Sequence, residues 1–329
     1  MATNIPITLA CGDYEITRAL KEGTVTPDGI DLTVLTDMDS TTRHWRFLRN
    51  RDFDMAETSA SSYIVARGQD LPVRALPVFL HRRFRHGFVF VNTGKGIAKP
   101  ADLIGRRIGI KSFLVTAIHW MRGLLEKEYG VPHASVEWVA ELDEDVDFTP
   151  PPGLRLTRLP NEKSVETMLA EGELDAVIHS SIIKPFAAGD PRVARLWPKH
   201  KQEEIAFYRK TGIFPIMHVM GIKQDIVERH PWVPINMYHA FVKSKAIAME
   251  RMKNPRVVPL AWYQEALEEQ MAILGPDPWE YGLTDRNRKT LEMLAGFSHE
   301  QGLTPRRMSL DELFLPVFQG RKRGEEHRI

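Results

Sequence analysis

One cysteine in 329 residues, Cys11, excludes an internal disulfide framework and any cysteine-rich zinc or iron–sulfur site. Excess charge of either sign is also missing. With 44 Lys and Arg against 43 Asp and Glu, no net positive field gathers phosphates, which removes the electrostatic case for a nucleic-acid partner. No apolar run approaches the ~18 residues that cross a bilayer, so no membrane partner is expected. Metal-ligand spacings are absent: there is no His-x-His, His-x-x-x-His or HExxH, and His81 and His86 would face opposite ways on a strand. Gly94-Lys95-Gly96 is too short for a phosphate loop. Met1-Ala2-Thr3-Asn4-Ile5 carries no basic segment and the next apolar stretch is broken by Asp13 and Glu15, which reads as a cytoplasmic chain without a signal peptide.

What is present is a globular composition, 43% hydrophobic and 26% charged, with length for two or three domains. Ile5–Ala10, Ile30–Leu35 and Phe53–Ala56 read as strands, separated by a helix over Tyr14–Glu22 and a turn at Thr26-Pro27-Asp28-Gly29. A second strand–helix series follows: strands at Arg107–Ile110, Val136–Ala140, Arg155–Leu159 and Leu174–His179, helices at Thr116–Tyr129 and Glu162–Glu171. That rhythm predicts parallel sheets covered by helices. Two long extended segments, Ala75–Asn92 and Phe214–Ile222, bracket the second series and are expected to cross between two lobes. The domains are therefore expected at 1–94 with 206–329, and at 95–205. Helices over Val233–Met252, Pro259–Leu274 and Asp285–Gln301 are expected to pack on the first lobe, and Gly320–Ile329 to form a solvated tail.

Ligands of open parallel sheets sit beyond the carboxyl ends of the strands. Three junctions there carry hydroxyls: Glu57–Ser62 with Ser59, Lys111–Thr116 with Ser112, and His179-Ser180-Ser181. Each fits either a plain helix cap or an anion held by backbone N–H groups. Arg82-Arg83-Phe84-Arg85-His86 is the densest cationic feature. On a strand, Arg83 and Arg85 would share one face and Phe84, His86 and Phe88 the other. His218 alternates with Ile216 and Met220 on an apolar face, fitting either a core histidine or a group beside His86 if the long strands run together. Arg122 reads as a surface or interdomain side chain. Cys11 reads as a small buried filler. Trp232 and Trp279 fit either self-association into a homo-oligomer or the folded core.

Pro100–Ile110 (PADLIGRRIGI) and Gly172–Val177 (GELDAV) resemble the second lobe of type II periplasmic binding proteins. More specifically, ACGDYEITRAL (10–20), FDMAETSASSYI (53–64), PVFLHRRFRHGFVFVN (77–92), TAIHWMRGLL (116–125) and TGIFPIMHVMGI (211–222) resemble 4,5-dihydroxyphthalate decarboxylases. The resemblance implies a two-lobed type II periplasmic-binding-protein-like α/β fold, each lobe a mainly parallel sheet flanked by helices, joined by two crossing strands. It further implies a cytoplasmic carboxy-lyase of phthalate degradation acting on a small aromatic carboxylate. The alternative is a non-catalytic solute-binding protein for a small carboxylate.

Such a reaction needs a cation for the retained carboxylate, a base for a phenol and an acid for the ring carbon. Arg83 or Arg85 fits the first, with Ser59, Ser112, Thr116 and His179 around the substrate. His86 or His218 fits the proton transfer, and Asp13 or Glu57 fits acceptance from a ring hydroxyl. The hydroxyl para to the departing carboxylate can itself drive electrons into the ring. No cofactor is predicted, and a metal requirement is left open.

Overall fold

The computed structural model describes residues 4–160 and 163–317. The expected tail at 320–329 and the first residue of the expected Glu162 helix lie outside them. Among the described residues, no helix is long and apolar enough to cross a membrane.

Among the described residues, eleven strands form two sheets. The first has five strands in the order β2-β1-β3-β11-β4, comprising β1 (Ile5–Ala10), β2 (Ile30–Leu35), β3 (Met55–Ser59), β4 (Val73–Leu76) and β11 (His218–Lys223). β1 pairs in parallel with β2 and β3, and β11 runs antiparallel between β3 and β4. All five residues of β3 are buried, as a central strand covered on both faces requires. The second sheet orders as β10-β5-β9-β6-β7-β8. Its strands are β5 (Val89–Asn92), β6 (Arg107–Ile110), β7 (Glu137–Ala140), β8 (Arg155–Arg158), β9 (Ala176–Ile178) and β10 (Val193–Arg195). β9, β6, β7 and β8 are mutually parallel, and β5 runs antiparallel between β9 and the edge strand β10. This is the two-lobed, mainly parallel α/β arrangement expected from the sequence.

The long strand expected over Ala75–Asn92 does not exist as one element. β4 ends at Leu76 because Pro77 has no N–H to continue the ladder. The chain then crosses to the second sheet through 77–88 and resumes as β5. Within the crossing, Arg82 bridges Ile216 of the returning segment, and Arg83 N donates to Pro215 O at 3.1 Å. The crossings run side by side, at 77–88 and 212–217.

The C-terminal helices divide their packing. Val233–Arg251 lies on the Glu15–Lys21 segment of the first lobe, with Ser244 Oγ donating to Ile16 O at 2.9 Å. Asp285–Glu300 instead packs against both Ala60–Gly68 and Thr116–Tyr129, so the expectation that all of these helices sit on the first lobe is corrected. Phe297 stacks edge-on to Trp120 at 5.7 Å, and a Cβ at Gly123 would stand 2.2 Å from its ring. Only glycine allows that approach. For Arg122 the surface alternative is corrected and the interdomain one holds. Arg122 is fully buried at this helix contact, donating to Gln301 Oε1 at 2.8 Å and to Phe113 O at 2.6 Å. Trp279 is partly buried and packs on Phe214 against the core, while Trp232 covers Gly29 and stays partly exposed.

Candidate active site

The carboxyl ends of β1 and β3 and the start of β11 meet at one edge of the first sheet, where His218 pairs directly with Ser59. Glu57, two residues back on β3, points to the same side and has no solvent exposure. Its Oε1 accepts from Tyr14 OH at 2.9 Å and lies 2.7 Å from His218 Nδ1. Its Oε2 accepts from Gly12 N at 2.8 Å and Arg43 Nη2 at 2.7 Å. Burial alone would raise this carboxyl, but His218, Arg43 and the Gly12 N–H together hold it below the usual carboxylate range. A Cβ at Gly12 would stand 2.5 Å from the Tyr14 ring, so glycine lets both donors reach the carboxylate. With Nδ1 engaged, Nε2 is the nitrogen that His218 offers to the cleft.

His218 stands between two further histidines, His44 at 4.8 Å and His81 at 4.7 Å between ring centroids. His44 Nε2 and His81 Nδ1 are buried without hydrogen-bond partners among the described residues. Burial, reinforced by His218, holds both rings neutral. His44 lies well below the usual histidine range and His81 is pushed down to about 2. Among the described residues, no group of three or more His, Cys, Asp or Glu is arranged to hold a metal ion.

These rings open into a cavity of about 130 Å³ between the sheets. Its walls include the starts of three helices: Ser40 and Thr41, Ser59, and Val115 to Ala117. Asp39 caps the first, accepting from Thr41 N and Thr42 N, and Ser59 caps the second. Ser59 Oγ lies 2.8 Å from Thr116 Oγ1, and Ser61 N donates to Thr116 Oγ1 at 3.2 Å, which stitches a first-lobe helix start to a second-lobe one. Backbone N–H groups and helix dipoles there favour an anion.

Two cations line the cavity. Lys111 is paired with Glu141 at 2.6 Å. Arg85 is buried, donating to Ser180 O at 2.9 Å and to Met217 Sδ at 3.0 Å. Among the described residues no carboxylate lies in ion-pairing distance of Arg85. Burial, with Arg83 adding to it, pushes the guanidinium down to about 9. Opposite them, Asp145 is buried and touches Ser62 Oγ at 3.2 Å. Burial pushes its carboxyl up to about 7, with Glu144 adding to the rise while Ser62 and Arg49 oppose it.

Arg85, Ser59, Ser112, Thr116 and His218 thus meet in one cavity, with Glu57 directly behind His218. The other candidates lie elsewhere. Arg83 is exposed over the Phe88 ring, because the crossing is not a strand and adjacent residues do not follow strand faces. His86 is enclosed by Tyr129, Trp197 and Phe207, and burial pushes it down to about 4. Asp13 is exposed and paired with Lys21 at 3.0 Å. His179 is buried behind the cavity wall and accepts from Ser181 N at 3.0 Å. Cys11 is buried, its thiol pushed up to about 12.

Sequence reasoning missed Arg43, His44, His81, Lys111 and Asp145. The Asp39-Ser40-Thr41 start of a helix was a readable signal for His44. Asp145 follows β7 at the carboxyl edge where ligands gather, but nothing in its acidic loop distinguished it from a solvated turn.

A family model described as NMT1/THI5 like matches residues 18–145. The chain is 35% identical over 325 residues to a 4,5-dihydroxyphthalate decarboxylase of Comamonas testosteroni, covering 96% of this chain and 98% of that one. It is 34% identical over 212 residues to one of Pseudomonas putida, covering 62% and 81%. Among solved structures it is similar to the periplasmic aliphatic sulphonate binding protein SsuA of Escherichia coli. There the TM-score is 0.56 at 10% identity, covering 95% of this chain and 98% of that one.

Proposed function

The chain belongs to the 4,5-dihydroxyphthalate decarboxylase family, and from that premise we propose that it converts 4,5-dihydroxyphthalate to protocatechuate and CO2. The observation that carries this reading is 35% identity sustained over 96% of the chain. A cavity lined by an unpaired buried guanidinium and three helix starts supports an anionic substrate of this class.

In this reading Arg85 takes the carboxylate that stays, with hydrogen bonds from Ser59, Ser112 and Thr116. His218 Nε2 accepts the proton of the hydroxyl para to the departing carboxylate. Glu57 is a positioning residue: it is enclosed by four partners and acts through the His218 ring it orients. His44 and His81, neutral and with unpartnered nitrogens, receive the ring hydroxyls. Electrons pushed from the phenol into the ring let the carboxylate-bearing carbon take a proton, and loss of CO2 restores aromaticity. We further infer a role in phthalate degradation in the cytoplasm, the location expected from the sequence, which cell fractionation tests.

Purified protein incubated with 4,5-dihydroxyphthalate is expected to yield protocatechuate and CO2 in equal amounts, followed by chromatography and a carbonate trap. Tight binding with the ligand recovered unaltered would favour the solute-binding alternative.

A further inference from the structure

The proposed chemistry needs an acid at the ring carbon, and most groups lining the cavity cannot supply it. Lys111 is held by Glu141 at 2.6 Å. Arg85 is committed to charge, His44 and His81 are neutral, and His218 is already the base. We propose that Asp145 is the catalytic acid that delivers a proton to the ring carbon bearing the departing carboxylate. This rests on the decarboxylase reading and adds a residue to it.

The geometry suits the role. Asp145 lines the same cavity as His218 and Arg85, is 8% exposed, and among the described residues its carboxylate accepts one side-chain hydrogen bond, from Ser62 Oγ at 3.2 Å. Its loop is braced from below. The neighbouring Glu144 accepts from Phe113 N at 2.6 Å and Leu114 N at 2.9 Å, fixing the loop to the start of the Thr116 helix. Arg49, the cation facing this loop, is occupied by Asp147 at 2.7 Å and Glu144 O at 3.1 Å. Asp145 is therefore buried without a paired cation among the described residues and beside Glu144, conditions that keep a carboxylic acid protonated near neutrality. A neutral acid also avoids repelling a doubly charged substrate on entry.

The step balances. His218 takes the phenolic proton as the oxygen becomes a ketone, and a ring π pair forms a C–H bond with the Asp145 proton while the Asp145 O–H bond breaks. The C–CO2 bond then breaks and its electron pair restores the ring, returning the oxygen to phenolate, which recovers its proton from His218. Asp145 takes one proton from water per cycle, the proton the overall reaction consumes.

Run backwards to the same intermediate, this acid should exchange the product's ring hydrogen. In D2O, wild-type protein is expected to exchange the hydrogen of protocatechuate ortho to the carboxylate and para to the 3-hydroxyl, read by proton NMR. Asp145→Asn should lose roughly 10²-fold or more of both exchange and turnover while still binding 4,5-dihydroxyphthalate, and Asp145→Glu should recover part of both. Turnover of Asp145→Asn within a few-fold of wild type would overturn this assignment alone. Wild-type protein that binds substrate but neither exchanges nor decarboxylates would overturn the decarboxylase reading with it.

Discussion

His218 Nδ1 lies 2.7 Å from Glu57 Oε1, a carboxylate with no exposure to solvent. The pair joins β11 to β3 at the edge where both strands open into the cleft, and Arg43, Tyr14 and the Gly12 N–H occupy the rest of the carboxylate. A buried charge so fully satisfied fixes a ring orientation that packing alone would leave to rotamer choice.

Removing that charge should show in both stability and turnover. Glu57→Gln keeps the side-chain shape but leaves Arg43 buried without its counter-charge, a loss of about 3–5 kcal/mol at neutral pH. Because the folded-state pKa of Glu57 is depressed, its contribution is present above the ordinary carboxylate range and is lost as pH falls through the lower folded value. Chemical denaturation at several pH values should therefore show the gap between wild type and Glu57→Gln closing in acid. Turnover should fall about 10²–10⁴-fold in Glu57→Gln and in His218→Ala, and the double variant should be little worse than either single one. Additive losses would separate the two residues.

The fold was legible because its signals are local. Alternating short strands and amphipathic helices set the parallel sheets, and the Thr116–Tyr129 helix has the predicted ends, closed by Gly130. Ser59, Ser112 and Thr116 were legible because they sit on such junctions, and Arg85 and His218 because the two crossing segments stood out in the sequence. Arg83 and His86 were misplaced because face counting assumes a strand, whereas Pro77 ends β4 and the crossing follows no regular period. His81, not His86, sits beside His218. Met217 N donates to His81 O at 2.9 Å, a register that no local pattern encodes. Arg43 and Asp145 owe their character to burial by distant segments, which is a tertiary property.

Arg85 should trade stability for binding. A buried guanidinium without a carboxylate partner is costly in the empty protein and is relieved when an anion arrives. Arg85→Met should therefore melt at a higher temperature than wild type without ligand, by scanning calorimetry. The same variant should lose the two charge-assisted bonds a carboxylate would accept, at ~1.5–3 kcal/mol each, raising KM by roughly 10²-fold or more. Arg85→Lys should not restore it, since an ammonium cannot present the planar fork. A variant that binds normally would remove Arg85 from substrate recognition.

The histidine pair should set selectivity for the ring hydroxyls. His44 Nε2 and His81 Nδ1 are buried and unpartnered among the described residues, so a ligand lacking hydroxyls leaves both unsatisfied. Wild-type protein should bind 4,5-dihydroxyphthalate at least ten times more tightly than phthalate, measured by calorimetric titration. His81→Phe keeps a ring edge-on to His218 while removing its nitrogens, and should narrow that ratio by roughly 5–150-fold, the value of one such bond at ~1–3 kcal/mol. An unchanged ratio would place the hydroxyls elsewhere.

Asp145 makes a thermodynamic prediction independent of turnover. Its folded-state pKa is raised to about 7 from an ordinary carboxylate value, so between those limits the folded protein keeps a proton that the unfolded chain has released. Stability from this group is then greatest in acid and declines as pH rises toward neutrality, opposite in sign to Glu57. Asn is uncharged at every pH and nearly isosteric. Asp145→Asn should therefore match wild type in denaturant midpoint near pH 4 and exceed it near pH 8, where the wild-type carboxylate is charged, buried and without a paired cation. Glu144 and Arg49 face the same loop and are kept in the variant, so the comparison reads the charge at position 145 together with its coupling to these two groups. Equal midpoints at both pH values would mean that Asp145 ionises as an ordinary surface carboxylate, and an acid already ionised at pH 7 has no proton to give the ring.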